Sequence, residues 1–489
     1  MYKEKDNKKY QAASYFNIAA LLLSFVMLFV LFPKKTLNYD EPYQIMCSKG
    51  ITLMNVDKFS GKTVLTSDEF NKENTIKNVF FEGTDSIHYM FLHFFILLSG
   101  NDLQNYVLFS VIWAILSLTG FYFLCRLILG DSFFVGVAII LLATHIVFIS
   151  QAYSIRHYVM TLFFVILSGI YFFRYLLQGK KTADLVMLFA LCLISFASHY
   201  LASYIVAVYI ITILYVEKLA FFSKKNILIS VLSLDVLLLY YSIHSTPFDS
   251  IKNNQQYIQN YFKIIKNISI FDAVSVAMKS AAINFAIVFV LFRDLFIVRL
   301  ISFLLIVSMY LIGLKYLIKQ DSEKFKLHAL LLLGICSSLF SGLLSFYTNN
   351  IAYFAYRYVV FSVPFAVLFG CYFFKYLLGE PHVKRIIAYG IFALLFSPAI
   401  IAFILSHKHS QGAVPCNHLW VINDIAKKDV HKIAVPKVVD AVFINCLLPK
   451  HYAMTYNIDS SSREAILYDN NNAQIEKIPL IYNELIVMF

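Results

Sequence analysis

The feature that most constrains this chain is a succession of apolar runs, each close to the ~20 residues that carry a helix across a bilayer. They fall near 14–32, 104–125, 133–151, 157–177, 184–200, 201–217, 227–243, 296–317, 327–346, 357–378 and 386–405. Inside hydrocarbon every backbone N–H and C=O must be bonded within the protein, so such runs are read as helices. Composition agrees: 60% of the 489 residues are hydrophobic and only 14% are charged, against about 25% charged in a typical soluble domain. A disordered chain is excluded, and the composition argues against a large soluble enzyme. Seven cysteines in this length, with no CxxC pair, argue against a zinc module or a disulfide scaffold.

The formal charge of +12 would suggest nucleic acid in a soluble protein. Here its placement gives a different meaning, because basic loops beside apolar helices mark the cytosolic side. Eleven crossings from a cytosolic N-terminus put eighteen basic residues on the inside: Lys3, Lys5, Lys8, Lys9, Arg126, Arg174, Lys180, Lys181, Lys218, Lys224, Lys225, Lys315, Lys319, Lys324, Lys326, Lys375, Lys384 and Arg385. The short outside loops hold only Arg156 and Arg357. The partner this charge implies is the membrane, and no nucleic acid is expected. No small-residue cleavage site follows the first run at Val30-Leu31-Phe32-Pro33, so the first span is expected to be uncleaved.

Three stretches are not expected to cross. Residues 33–103 form a first long outside loop, and residues 244–295 a second, with 281–292 as a helix lying in the interface. Residues 406–489 are more polar. HLWVINDIAKK reads as a helix, and HKIAVP and EAILYD as strands, giving a small outside α/β domain beside a transmembrane domain over 1–405. Its Cys416 and Cys446 could form a disulfide in an oxidising compartment, or stay as two thiols. Cys125, Cys192, Cys336 and Cys371 fall in spans and read as packing residues.

Several polar residues stand at the outer ends of these runs. Asp40-Glu41 follows the first span. Adjacent carboxylates there can act as a general base or as ligands for a hard cation, or simply form a solvated, helix-capping turn before Pro42. Residues 83–100, GTDSIHYMFLHFFILLSG, fit a helix along the interface, with Asp85 and Ser86 as natural caps. His88 and His93 are five apart, which takes them off one helix face and argues against shared metal ligation. Arg156 can pair with a phosphate, or snorkel to headgroups. His199, in the SHY of 198–200, and Arg357, in AYRYVVFSVP, are also at outer ends. Carboxylates, arginines and a histidine on one side suit a cavity that binds an anionic headgroup and does acid–base work beside it.

Five stretches resemble the GT-C class of multi-pass membrane glycosyltransferases, in particular glycosyltransferase family 39 with its protein O-mannosyltransferases and aminoarabinose transferases. Tyr39-Asp40-Glu41 resembles the acidic motif of the first outside loop, and DSIHYMFLHFF the family's PPLYYLLLHLW. The segment from Ile155 to Leu177 resembles the RxYxL helix through Arg156 and Tyr158. SHY resembles THY, and RYVVFSVP resembles RYLLFLLP. The diproline is replaced by Asp85-Ser86, and Ser154 stands where an acidic residue is often found. The WWDYG signature of the oligosaccharyltransferases is missing.

The resemblance implies an all-α GT-C fold of about eleven transmembrane helices carrying the small extracytoplasmic α/β domain. It implies a transferase that moves a sugar from a polyprenyl-phosphate donor to a hydroxyl on a glycan, lipid or protein acceptor, in a bacterial plasma membrane. Asp40 is then the general base and Glu41 its partner. Arg156, Tyr158, His199, Tyr200, Arg357 and Tyr358 fall on the donor and its phosphate, with Asp85 and His88 on a donor or acceptor loop. A divalent cation on Asp40 and Glu41 is compatible, with no full ligand set spelled out. Phosphate is already a good leaving group, so one base suffices where a glycosidase uses two carboxylates, and attack opposite the phosphate inverts the anomeric centre. Two other classes share the hydropathy. A lipid-linked polysaccharide polymerase or ligase is expected to hold arginines in a late outside loop, whereas 244–295 has only Arg293. A flippase or transporter is expected to show repeated halves or charges midway through spans, and only Asp235 lies well inside one.

Overall fold

The computed structural model describes residues 2–30, 41–49, 64–65, 79, 85–100, 103–217, 224–243, 269–285, 296–348, 356–379, 432–435, 453–456, 464–468 and 474–479. Their helices are α1 (Tyr2–Val30), α2 (Glu41–Ser48), α3 (Ser86–Ser99), α4 (Leu103–Leu129), α5 (Phe133–Ala143), α6 (Ile146–Ala152), α7 (Tyr158–Leu177), α8 (Thr182–Ser198), α9 (Ser203–Glu217), α10 (Lys224–Ile243), α11 (Ile270–Asn284), α12 (Phe296–Ile312), α13 (Asp321–Thr348) and α14 (Val363–Gly379). The strands are β1 (Val64–Leu65), β2 (Lys432–Val435), β3 (Ala453–Tyr456), β4 (Glu464–Tyr468) and β5 (Gln474–Pro479). Contacts divide the chain into two units. The first holds residues 1–32, 111–153 and 157–411, and the second 33–110, 154–156 and 412–489.

Among the described residues seven helical segments are long and apolar enough to cross a membrane: Gln11–Val30, Gln104–Leu129, Tyr158–Leu177, Tyr200–Glu217, Arg299–Leu317, Asp321–Phe346 and Val359–Gly379. All seven coincide with runs read from the sequence. The run at 184–200 is the 17-residue α8, the run at 227–243 lies in α10, and 386–405 lies outside the described residues. The chain is an integral, multi-pass, mainly helical membrane protein.

The run at 133–151 is not one straight helix. It breaks between α5 and α6 with a bend of 61°. Thr144 and His145 occupy the break, and the His145 side chain supplies the bonds the break costs. Its Nδ1 accepts the Val147 N–H at 3.3 Å and caps α6, while Nε2 lies 3.0 Å from the Ile283 carbonyl at the end of α11. That pattern puts the proton on Nε2. In an apolar interior an unmet N–H costs several kcal/mol, so a residue with two ring nitrogens fits the break better than an aliphatic one.

In the first unit α1 packs on α5 through a polar contact within an apolar seam. Asn17 donates from Nδ2 to the Ser132 carbonyl at 3.1 Å and accepts the Gly136 N–H at 2.8 Å. A Cβ on Gly136 would come within 2.5 Å of the Phe16 ring, so the close approach needs glycine. The α11–α13 pair uses the same device. Gly342 faces the Ala273 carbonyl, where a Cβ would sit 2.8 Å away. Asn284 donates from Nδ2 towards Gly334 O, Ser337 Oγ and Ser338 Oγ at 2.9–3.1 Å. Residues 281–284, expected to begin an interfacial helix, are thus the buried end of α11; residues 286–295 lie outside the described ones. Cys125, Cys192, Cys336 and Cys371 are buried free thiols within the helices, in keeping with packing roles.

The second unit contains a five-stranded sheet in the order β1-β3-β2-β4-β5. β2 and β3 are parallel, and the other pairs are antiparallel. The strands expected at HKIAVP and EAILYD are β2 and β4. β1 comes from residues 33–103 and pairs Val64 with Thr455 and Leu65 with Met454, so the sheet draws on both segments that the sequence treats as separate. The helix expected at HLWVINDIAKK lies outside the described residues, as do Cys416 and Cys446.

Candidate functional site

The second unit brings Glu41 to the segment that carries Arg156. Glu41 opens α2 and is completely buried. Its Oε1 accepts the Ile155 N–H at 3.0 Å, across 114 residues of sequence. The same segment is held from α4, where Ser110 Oγ donates to the Ser154 carbonyl at 2.7 Å. Ser154 and Ile155 are buried and Arg156 is half-buried. Two side chains from distant elements therefore fix Ser154 and Ile155 and so the backbone from which Arg156 extends. For Glu41, a solvated turn is overturned: a carboxylate with no exposed surface is bonded to backbone. Asp40 lies outside the described residues.

α2 packs on α3 within this unit. His93 Nδ1 lies 2.7 Å from the Ser48 carbonyl, and His88 is buried edge-on to Phe109 at 5.7 Å. The two histidines take different surroundings, as their spacing of five requires. Asp85 occupies the N-cap position of α3, but its side chain makes no capping hydrogen bond, so the expected capping role is not realised in that form.

The first unit assembles a second cluster from three of the sequence stretches. His157 and His199 stack with ring centroids 3.9 Å apart and planes at 29°. Tyr158 stands edge-on to His199 at 5.1 Å, and Tyr200 lies 4.9 Å from it. Phe361 touches Tyr158, His199 and Tyr204 at 6.1–6.3 Å. Phe361 belongs to the 3₁₀ segment Tyr356–Ser362, which also contains Arg357 and Tyr358; the side chains of those two lie outside the described residues. That segment packs on α6, α7, α11, α13 and α14. Just before α7's entry loop, Tyr153 donates its hydroxyl to the Leu28 carbonyl at 2.8 Å, and burial pushes its pKa above the ordinary tyrosine value.

The sequence reading did not single out His157, although it directly follows Arg156, and it passed over Gln44, one turn after Glu41. Each was legible as a polar neighbour of a candidate; His157 fills the variable position between Arg156 and Tyr158, and Gln44 lies in no motif. His157 and His199 offer ring nitrogens within 4.8 Å of one another, close enough to face one cation. The expected cation at Asp40 and Glu41 fits less well. Glu41 already spends Oε1 on the Ile155 N–H, and a hard cation takes about six to eight oxygens.

No protein-family profile matches the chain, and no curated protein is similar to it. Among solved structures it is similar to ArnT from Cupriavidus metallidurans in the apo state, at 12% identity and a TM-score of 0.40, over 91% of this chain and 86% of that one. It is similar also to the same protein bound to undecaprenyl phosphate, at 11% identity and a TM-score of 0.39, over 89% and 85%. A likeness this loose transfers no residue roles.

Proposed function

We propose that this chain is a GT-C-type membrane glycosyltransferase that moves a sugar from a polyprenyl-phosphate donor to an acceptor hydroxyl on the extracytoplasmic face. The observation that carries the reading is the buried Glu41 carboxylate bonded to the Ile155 N–H. It ties the acidic motif to the backbone segment of Arg156, two parts of the sequence resemblance that lie far apart in the chain. A carboxylate motif for proton transfer and a guanidinium for phosphate are the two groups such a transfer needs.

In this reading Asp40 takes the proton from the acceptor hydroxyl as the oxygen attacks the anomeric carbon. The bond to the lipid phosphate oxygen breaks on the opposite face, and the configuration inverts. Arg156 binds the phosphate and stabilises the charge it gains. Glu41 is a positioning residue: its carboxylate holds Ile155 and fixes where Arg156 starts. Tyr158, His199, Tyr200, Arg357 and Tyr358 keep the donor-binding role that the resemblance gives them, and Asp85 and His88 the loop role. No step is routed through a metal ion. The test is transfer of label from a radiolabelled polyprenyl-phosphate sugar in membranes containing the protein. Label that stays on the lipid under every acceptor condition overturns the reading.

A further inference from the structure

α2 carries two buried polar side chains. Glu41 is fully buried and Gln44 is 3% exposed. Three residues apart on a helix, they stand on the same side. Glu41 is bonded to Ile155, but Gln44 Oε1 is buried with no hydrogen-bond partner among the described residues. Leaving such an acceptor unmet costs the desolvation of its oxygen, and methionine or leucine would fill the volume without that cost. Native proteins seldom leave a buried acceptor unmet unless water or a ligand completes it.

We propose that Gln44 Oε1 accepts a hydrogen bond from a substrate hydroxyl and sets specificity in the site that contains Glu41. The inference rests on the transferase reading above. Chemistry selects among the parts of a lipid-linked sugar. The phosphate offers only acceptor oxygens at neutral pH, and the polyprenyl tail offers no donor. Sugar hydroxyls, and the hydroxyl of the acceptor, do carry the proton that an orphan acceptor lacks.

The experiment uses the full-length protein in nanodiscs and the variant Gln44→Met, which keeps volume and removes the acceptor. Three readouts are taken: binding of undecaprenyl phosphate alone, binding of undecaprenyl-phosphate hexoses and pentoses with their deoxy analogues, and the KM for the acceptor that supports turnover. The expected result is unchanged binding of bare undecaprenyl phosphate with a loss of about tenfold on one hydroxyl-bearing substrate, the size of one net hydrogen bond. A loss on the glycosylated lipid that vanishes for one deoxy analogue places the hydroxyl on the donor sugar. A loss confined to acceptor KM places it on the acceptor. No change in either overturns the inference while leaving the transferase reading intact, because a bound water then meets Gln44. Equal weakening of bare undecaprenyl phosphate also overturns it, since Gln44 would then serve the fold of α2. A wild-type protein that neither binds undecaprenyl phosphate nor releases sugar from it removes both readings together.

Discussion

Two regions of this protein bury carboxylates, and they do so in different ways. Around the α7–α8 turn, Asp184 pairs with Arg174 at 3.1 Å and Glu217 pairs with Lys180 at 2.7 Å. Both carboxylates are nearly buried, while their cations are 40% and 48% exposed. The turn itself is tight, with Gly179 at φ +94° and Lys180 at +56°, the left-handed region that costs a non-glycine residue about 1 kcal/mol or more. At α2, Glu41 instead meets the neutral backbone N–H of Ile155, 114 residues away. The ion pairs join helix ends 10 and 37 residues apart in sequence. The Glu41 bond reaches across the chain to the segment of an arginine. The first arrangement fastens the ends of α7, α8 and α9; the second orders a candidate site.

Five substitutions at four positions test that contrast, beginning with the largest expected effect. Asp40→Asn keeps shape and capping ability but cannot take a proton. Turnover should fall by about 10²–10⁴-fold with expression and donor binding retained. Near-normal sugar transfer by a well-expressed mutant removes Asp40 from the mechanism, since asparagine caps a turn as well as aspartate does.

If Arg156 binds the donor phosphate as proposed, Arg156→Ala removes a charge-assisted contact of about 1.5–3 kcal/mol, and binding of a polyprenyl phosphate should weaken by roughly 10–150-fold. Binding isotherms at low and high salt measure this. Unchanged binding would mean that Arg156 only snorkels to headgroups.

Glu41 separates a holding role from a chemical one. Glu41→Gln still presents an oxygen to the Ile155 N–H, so melting temperature should stay close to wild type and turnover should drop only mildly. Glu41→Ala leaves that buried N–H unmet, at about 1–3 kcal/mol, and should lower both stability and donor affinity. If the two variants lose activity equally while the glutamine variant remains stable, the carboxylate charge itself acts. Recovery of Glu41→Gln on adding a divalent cation would make it a metal ligand.

Arg174→Ala should have the smallest effect on chemistry. It strands the buried Asp184, which should lower stability by about 1–3 kcal/mol, tempered by the exposure of the arginine. The KM and kcat of the surviving folded enzyme should match wild type. A kcat change larger than that of Glu41→Gln would erase the distinction between a fastening region and a site region.

Some of this was open to a reader of the sequence. The seven span-length segments lie where the apolar runs do, and β2 and β4 lie where HKIAVP and EAILYD do. Other points were not open. Asp40-Glu41 reads equally as a solvated turn, because nothing local reveals that Glu41 has a partner 114 residues on. Asp85 reads as a cap and holds the cap position, but its side chain makes no capping bond. The run at 133–151 gives no sign of its 61° bend, since Thr144 and His145 do little to its mean hydropathy. His145 becomes intelligible only once Ile283 is beside it.

The sequence by itself determined which segments are helices suited to a bilayer, because hydropathy adds up along the chain and lipid leaves the backbone no alternative to internal bonding. It also determined which residue types were available for chemistry. Only the tertiary structure decided which of them meet: Glu41 with Ile155, His157 with His199, Phe361 with both Tyr158 and His199, and β1 with β3. Contacts between distant segments depend on which surfaces pack after loop closure, and many pairings of similar apolar faces share nearly the same hydrophobic gain. Specific polar partners and close glycine contacts, such as Asn17 with Gly136 and Asn284 with Gly334, select one of them, because an unmet polar group in an apolar interior costs more than most alternative packings can recover.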